Sequence, residues 1–393
     1  LQLFNTKTKK EEELLTLTPG RVKAYICGPT VYDYSHIGHA RSYVNFDVLK
    51  RYLESTGYDV THVQNFTDVD DKITIKSREL GVSPAALSDR FIEAFLKDMD
   101  ALNVKRASAY TRASEYIPKI IDITQKLLDK GYAYRSGDAV YFEVNRVGGF
   151  GALIGDLEGA VADKIETDAF KRGPFDFVLW REGKNGEESW ESPWGRGRPG
   201  WHTECVAMAI DKLGEVIDLH WGGKDLVYPH HESEAAIAKA LTGKDFVRYW
   251  VHNEFVMLEG AKMSKSTGNT VFISDVLKDY PGESLRTLLL ERSYREKVEY
   301  SEAAIKEADE RYSRIRRAAQ TARRDWASSN PSVCVRDYAD MFFGALDDDL
   351  ETGQALAVVE NISAEVLRGY TSKDLRGSAR IYDAVESILG IKL

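Results

Sequence analysis

Two histidines stand three residues apart in SHIGHAR, residues 35–41, on either side of an Ile-Gly pair. Imidazoles so placed can share a metal ion, hold an anionic substrate, or lie satisfied in a core. The stretch precedes a helical pattern, and the unpaired N–H groups at a helix start favour an anion at His36 and His39. Gly38 would let a phosphate or planar group approach the backbone. Other residues suit the metal better. Cys27 closes a strand pattern, Cys205 lies in GWHTECVAM, and His230 and Glu234 stand four apart in PHHESE. Residues four apart share a helix face, so His230 and Glu234 can point at one ion. Two thiolates, an imidazole and a carboxylate suit tetrahedral zinc. With no CxxC pair, spacing alone leaves the other reading open: two small buried cysteines and a solvated glutamate. A third run, AKMSKSTGN, carries Lys262 and Lys265 on a Gly-containing loop. That suits a polyphosphate to be held and released, and equally an ordinary basic turn.

The elements that must position these groups begin with VKAYIC, where Val22, Ala24 and Ile26 alternate as in a strand. A Gly-Pro loop follows, then a helical stretch from about His39 with Tyr43, Phe46, Leu49 and Leu53, then the strand YDVTHVQN. This order predicts a parallel βαβ unit, whose ligands bind beyond the carboxyl ends of the strands, where Cys27, SHIGH and NFTDVDD fall. From Lys105 to Pro199 the pattern is mixed, with the helix IPKIIDITQKLLDKG, the strand AVYFEV and the run WESPWGRGRPGW. It reads as an insertion. The α/β pattern resumes with the strand EVIDLH, the helix HESEAAIAKALTG closed by Gly243, and the strand VRYWVHNEFVML. After about Tyr300, Ile305, Ala308, Tyr312, Ile315, Ala319 and Ala322 form one helical stripe, opposite Arg314, Arg316, Arg317, Arg323 and Arg324. All eight histidines precede this helical part, so the chemistry is expected in the first two thirds.

Composition narrows the class. At 393 residues and 44.3 kDa, two or more domains are expected. The chain is 43% apolar and 29% charged, with no apolar run able to span a bilayer and no signal peptide at its start. Three scattered cysteines argue against a disulfide framework and for a reducing cytoplasm. A net charge of -9 disfavours nonspecific coating of nucleic acid but leaves room for a local basic face.

Taken together, SHIGHAR and KMSKS resemble the paired signatures of class I aminoacyl-tRNA synthetases. CGPTVYDYSHIGHARSY, NFTDVDDK, DFVLW, SPWGRGRPGWHTECVAM, DLVYPHHESE and ALDDDLETGQAL are similar, in order and spacing, to the cysteinyl-tRNA synthetase family from near Leu3 to near Leu393. The resemblance implies an α/β fold: a Rossmann-like parallel-sheet nucleotide-binding domain (1–104 and 200–260) split by a connective insertion (105–199). A KMSKS and stem-contact junction (261–300) and an α-helical bundle (301–393) follow. It implies one zinc per chain on Cys27, Cys205, His230 and Glu234, selecting a substrate thiolate over a serine hydroxyl. It implies that His36, Gly38, His39, Lys262 and Lys265 bind ATP with magnesium, the two histidines and two lysines being catalytic. Thr67, Trp201 and Asp225 match positions near the amino acid, and His220 one beside the metal. The implied partners are ATP, L-cysteine and tRNA(Cys), in a cytoplasmic enzyme expected to be a monomer with no membrane association.

Two departures stand out. The family usually has three glycines before the aspartate loop, whereas this chain reads HWGGKD with Trp221 in the first place. The chain also stops after SILGIKL, where the family continues into an anticodon-reading domain, so that domain is expected to be missing here. A relative that also ends after the bundle, the cysteine ligase of mycothiol biosynthesis, passes cysteine from its adenylate to glucosaminyl-inositol and is the alternative. Arg41 after HIGHA, His220 before the glycines and Glu234 as a fourth ligand favour the synthetase. A non-catalytic paralogue is disfavoured by the intact HIGH, KMSKS and ligand set.

Overall fold

Successive residues of a strand face opposite sides of its sheet, and here that parity decides which side chains reach the site. The computed structural model describes residues 1–155, 168–184, 186–263, 268–326, 332–369, 375 and 377–393. In β1 (Arg21–Ile26), Val22, Ala24 and Ile26 enter one apolar core while Tyr25 and the following Cys27 enter the other. The chain continues through α1 (Ile37–Ser55), β2 (Asp59–Phe66), α2 (Asp71–Leu80) and β3 (Ala109–Arg112). It returns through α3 (Trp201–Leu213), β4 (Ile217–Gly223), α4 (Glu232–Thr242) and β5 (Val247–Asn253). The five strands form one parallel sheet in the order β5-β4-β1-β2-β3. The strand order reverses between β1 and β4, so the crevice beyond their carboxyl ends is the natural ligand site.

Two boundaries differ from the sequence pattern. Ala109–Arg112, inside the 105–199 stretch, is the edge strand of the parallel sheet, so the separate unit begins after it. Among the described residues that unit's sheet has four antiparallel strands, Ala133–Ser136, Ala139–Phe142, Phe177–Glu182 and Gly197–Pro199. VRYWVHNEFVML is not one strand: β5 stops at Asn253 because the Glu254 N–H donates to the Tyr294 carbonyl at 2.8 Å. Val256–Leu258 then joins a different sheet with Ala261–Lys262 and Val298–Tyr300.

Helix α1 begins earlier than the apolar period suggests, at Ile37, with His36 as its N-cap. It runs between the sheet and the later helices and is buried nearly all round, so even its charged residues must find partners. The Arg41 guanidinium, 0% exposed, donates to the carbonyls of Leu289, Ser293 and Glu296. Asp47 accepts from Arg51 at 2.7 Å and from Arg286, which also donates to the Leu102 and Leu389 carbonyls. These bonds lock the start of α1 to the junction and to the end of the chain. In the helical part the expected stripe of Glu302–Trp326 is buried at all six positions. Arg314, Arg316, Arg317 and Arg324 face solvent, whereas Arg323 pairs with Asp383 and Glu386.

Candidate active site and metal centre

A cavity of about 700 Å³ opens at the crevice, and the residues singled out from the sequence come together there. Cys27 and Cys205 lie on its floor, His36, Gly38 and His39 on one wall, and Thr67, Trp201, Asp225 and Lys262 around it. Lys265 lies outside the described residues.

On the floor, parity turns Cys27 from β1 and His220 from β4 toward the layer holding α3 and α4. Cys205, on α3, brings its Sγ to 3.8 Å from that of Cys27. Two thiolates about 2.3 Å from a tetrahedral zinc are separated by ~3.8 Å. Cys27 Sγ is also 3.6 Å from Glu234 Oε1, which lies 2.8 Å from His230 Nε2. The donor atoms of Cys27, Cys205, His230 and Glu234 all fall within 4.8 Å of one another, and all four residues are buried. The set fits zinc in donor chemistry and in size.

The buried charges of these groups are strongly coupled to one another. Burial and the bond to Cys205 push the Cys27 thiol up, while the hydrogen bond from Cys27 and the neighbouring His230 pull Cys205 down to about 6. Burial alone would raise Glu234, but the His220 and His230 imidazoles outweigh it and hold the carboxylate below its usual range. Burial opposes a charge on His230, but Glu234 and Cys205 overcome it and lift the imidazole to about 10.

Around the quartet lies a shell that the sequence reading did not assign. His202 Nδ1 sits 3.0 Å from His230 Nδ1, leaving His230 Nε2 for the site. His231 Nε2 is 3.3 Å from Cys27 Sγ, and its Nδ1 is 2.7 Å from His252 Nε2, whose Nδ1 is 2.7 Å from Thr6 Oγ1. A second grouping, Cys27, His220, His231 and Glu234, is as tight as the first. Burial holds His202 and His252 down to about 3, so both are neutral. The signal for this shell was present as the doubled histidine of PHHESE and the i+2 parity of His220 and His252 on neighbouring strands.

On the wall, His36 and His39 cap α1 reciprocally. The His36 N–H donates to His39 Nδ1 at 3.2 Å, the His39 N–H donates to His36 Nδ1 at 3.3 Å, and the rings stack 3.8 Å apart. Because both Nδ1 atoms accept, each ring proton sits on Nε2. Gly38 has a further role: a Cβ there would stand 2.9 Å from the His36 ring, so glycine keeps the cap possible. Gly28 is equally constrained, since its Cβ would overlap the Asn65 carbonyl at 1.5 Å. Asn65 in turn accepts from the Gly28 N–H at 2.8 Å and donates to Thr67 Oγ1 at 3.2 Å.

Lys262 is paired with Asp225 at 3.2 Å and lies over the Phe255 ring at 4.0 Å, while Trp201, 41% exposed, stacks on His230 at 4.2 Å. His220 is 0% exposed and is 3.0 Å from Glu234 Oε2, beside the metal set and out of the open cavity. Trp221 points away from all of this. Its parity places it in the opposite core against Phe46 and Tyr294, with Nε1 donating to Asn253 Oδ1 at 3.2 Å.

Comparison with known proteins places this geometry. Residues 13–310 match the family model described as tRNA synthetases class I (C) catalytic domain. The chain is 43% identical over 410 residues to the cysteine--tRNA ligase of Thermococcus onnurineus, covering 100% of this chain and 86% of that one. It is 44% identical over 403 residues to that of Dehalococcoides mccartyi, with 100% and 87% covered. The fold is similar to Mycobacterium tuberculosis methionyl-tRNA synthetase in complex with methionyl-adenylate, with TM-score 0.69, 17% identity and 94% and 88% of the chains covered. It is also similar to the Agrobacterium radiobacter K84 LeuRS–tRNA–LeuAMS complex, with TM-score 0.71, 13% identity and 95% and 84% covered. This chain belongs to the cysteine-specific family of class I tRNA synthetases.

Proposed function

We propose that the protein activates L-cysteine with ATP and transfers it to tRNA(Cys). The observation that carries the reading is the buried Cys27, Cys205, His230 and Glu234 quartet on the floor of the cavity whose wall is the doubly capped start of α1. The four residues would hold one zinc ion, which accepts a substrate thiolate far better than a hydroxyl and so discriminates cysteine from serine. Thr67, Asp225 and Trp201 surround the amino acid, and His220 keeps Glu234 ionised.

The cysteine carboxylate attacks the α-phosphorus of ATP, and pyrophosphate leaves with the bond's electron pair. The chain's part is positioning and charge stabilisation. His36 and His39 present Nε2–H donors to the phosphates from the positive end of α1, and Gly38 clears the space between them. Lys262 exchanges its hold on Asp225 for the leaving phosphates, with Lys265 beside it and magnesium accompanying the nucleotide. The terminal adenosine hydroxyl of the tRNA then attacks the adenylate carbonyl and displaces AMP. The relatives named above are tRNA ligases, which favours tRNA over the amino-sugar acceptor. Among the described residues no helix is long and apolar enough to cross a membrane, and a cytoplasmic monomer remains the expectation.

The test is to give the zinc-loaded protein ATP, labelled cysteine, and either a tRNA(Cys) transcript or glucosaminyl-inositol. Cysteine-dependent pyrophosphate exchange with label on the tRNA is expected. Absence of exchange, or label on the amine alone, would overturn the reading.

A further inference from the structure

We propose that Lys72 binds a backbone phosphate near the 3′ end of the incoming tRNA, making the α2 side of the cleft the entry rim for the second half-reaction. The inference rests on the tRNA reading above. Lys72 lines the cavity, but on the β2–α2 side, whereas Lys262 reaches it from beyond β5 on the other side of the central strands. The nucleotide's phosphates are already served by the α1 start and by Lys262. A cation on the far rim is therefore placed for a different anion.

The neighbouring carboxylates take other groups as their direct partners. Asp70 Oδ1 accepts from the Lys72 backbone N–H at 2.7 Å, capping α2. Asp68 accepts from the Ser114 N–H and hydroxyl at 2.9 and 2.6 Å. Asp71 pairs with Arg181 at 2.7 Å and Arg198 at 2.9 Å. The Lys72 ammonium instead lies 5.5 Å from the Tyr32 ring centroid, and among the described residues it has no ion pair. Three carboxylates within four residues are each turned elsewhere, and the lysine is left facing the cavity.

The same contacts place Lys72 at the mouth of the cleft. Through Asp71, α2 is joined to the connective sheet strands that carry Arg181 and Arg198, so Lys72 stands where the cleft opens between the parallel sheet and the inserted unit. On this proposal the nucleic acid strand reaches the adenylate through that opening. On a chain of net charge -9, local cations at the entrance are what make a polyanion's approach favourable.

The experiment compares wild type with Lys72→Ala and Lys72→Arg in two assays, pyrophosphate exchange and charging of a tRNA(Cys) transcript, across a salt series. Lys72→Ala should lower kcat/KM for tRNA by about tenfold and make its log-log salt slope shallower by about 0.7–1, as for one lost phosphate contact. Exchange parameters for ATP and cysteine should stay within about twofold, since the first half-reaction involves no tRNA phosphate. Lys72→Arg should restore most of the tRNA term. Equal losses in both assays, which would assign Lys72 to the nucleotide or the adenylate, overturn the proposal, as does unchanged charging or an unchanged salt slope. Failure of wild type to charge tRNA at all would count against the functional reading instead, so the two failures are distinguishable.

Discussion

Replacing His36 separates the two things its imidazole does. One is to cap α1, where Nδ1 accepts the His39 N–H at 3.3 Å while the His36 N–H donates to His39 at 3.2 Å. Removing an N-cap costs about 0.5–2 kcal/mol, and bonds longer than the usual ~3.0 Å belong in the lower half, about 1 kcal/mol. The other is to present Nε2–H to a phosphate, where a bond to a charged group contributes roughly 1.5–3 kcal/mol, or about 10- to 150-fold in rate. His36→Ala should therefore lose both. His36→Asn keeps the cap, because a short amide oxygen accepts well at this position, but cannot put a donor where Nε2 stands. The expected result is a stability within a few tenths of a kcal/mol of wild type by urea unfolding, with kcat/KM for ATP in pyrophosphate exchange as low as in the alanine variant. An asparagine variant with full exchange activity would refute the Nε2 role. An alanine variant as stable as wild type would refute the cap.

Three further outcomes follow from the geometry. Cys205→Ser removes one thiolate from the quartet, so zinc measured by mass spectrometry should fall well below one per chain after dialysis against a weak chelator, and the preference for cysteine over serine should shrink. Trp221→Phe leaves Asn253 Oδ1 without its donor and a gap in the core, which should cost about 2 kcal/mol in urea unfolding. His62 is buried and its burial holds the imidazole down to about 3, so it stays neutral in the fold while the unfolded chain titrates at ~6.5. The stability this residue carries is complete above pH 6.5 and falls as pH drops below it, by about 2 kcal/mol at pH 5. His62→Gln should remove that dependence in unfolding curves at pH 5 and 8, and an unchanged slope would show that His62 protonates freely.

Much of the site could be read locally. The alternation of VKAYIC is enough to set Cys27 at a strand end facing away from Val22, Ala24 and Ile26, and the four-residue spacing of His230 and Glu234 is enough to align them. The length and apolar stripe of Glu302–Trp326 are likewise legible, because helical period is a property of neighbours in sequence. Boundaries were less so: β5 ends at Asn253 through a bond to Tyr294, and Ala109–Arg112 becomes an edge strand by pairing with β2, partners that local pattern does not specify.

What the amino-acid sequence determined by itself is therefore the donor types, their faces and the family signature. Only the tertiary structure decided which donors meet. Cys27 and Cys205 are 178 residues apart, and the sheet order brings their sulfurs to 3.8 Å. The same folding turned SHIGHAR from a candidate metal pair into a helix cap, and sent Trp221 from the glycine loop into a core. Pairing of distant strands sets those distances, and a side chain's neighbours across a sheet depend on every chain that crosses it.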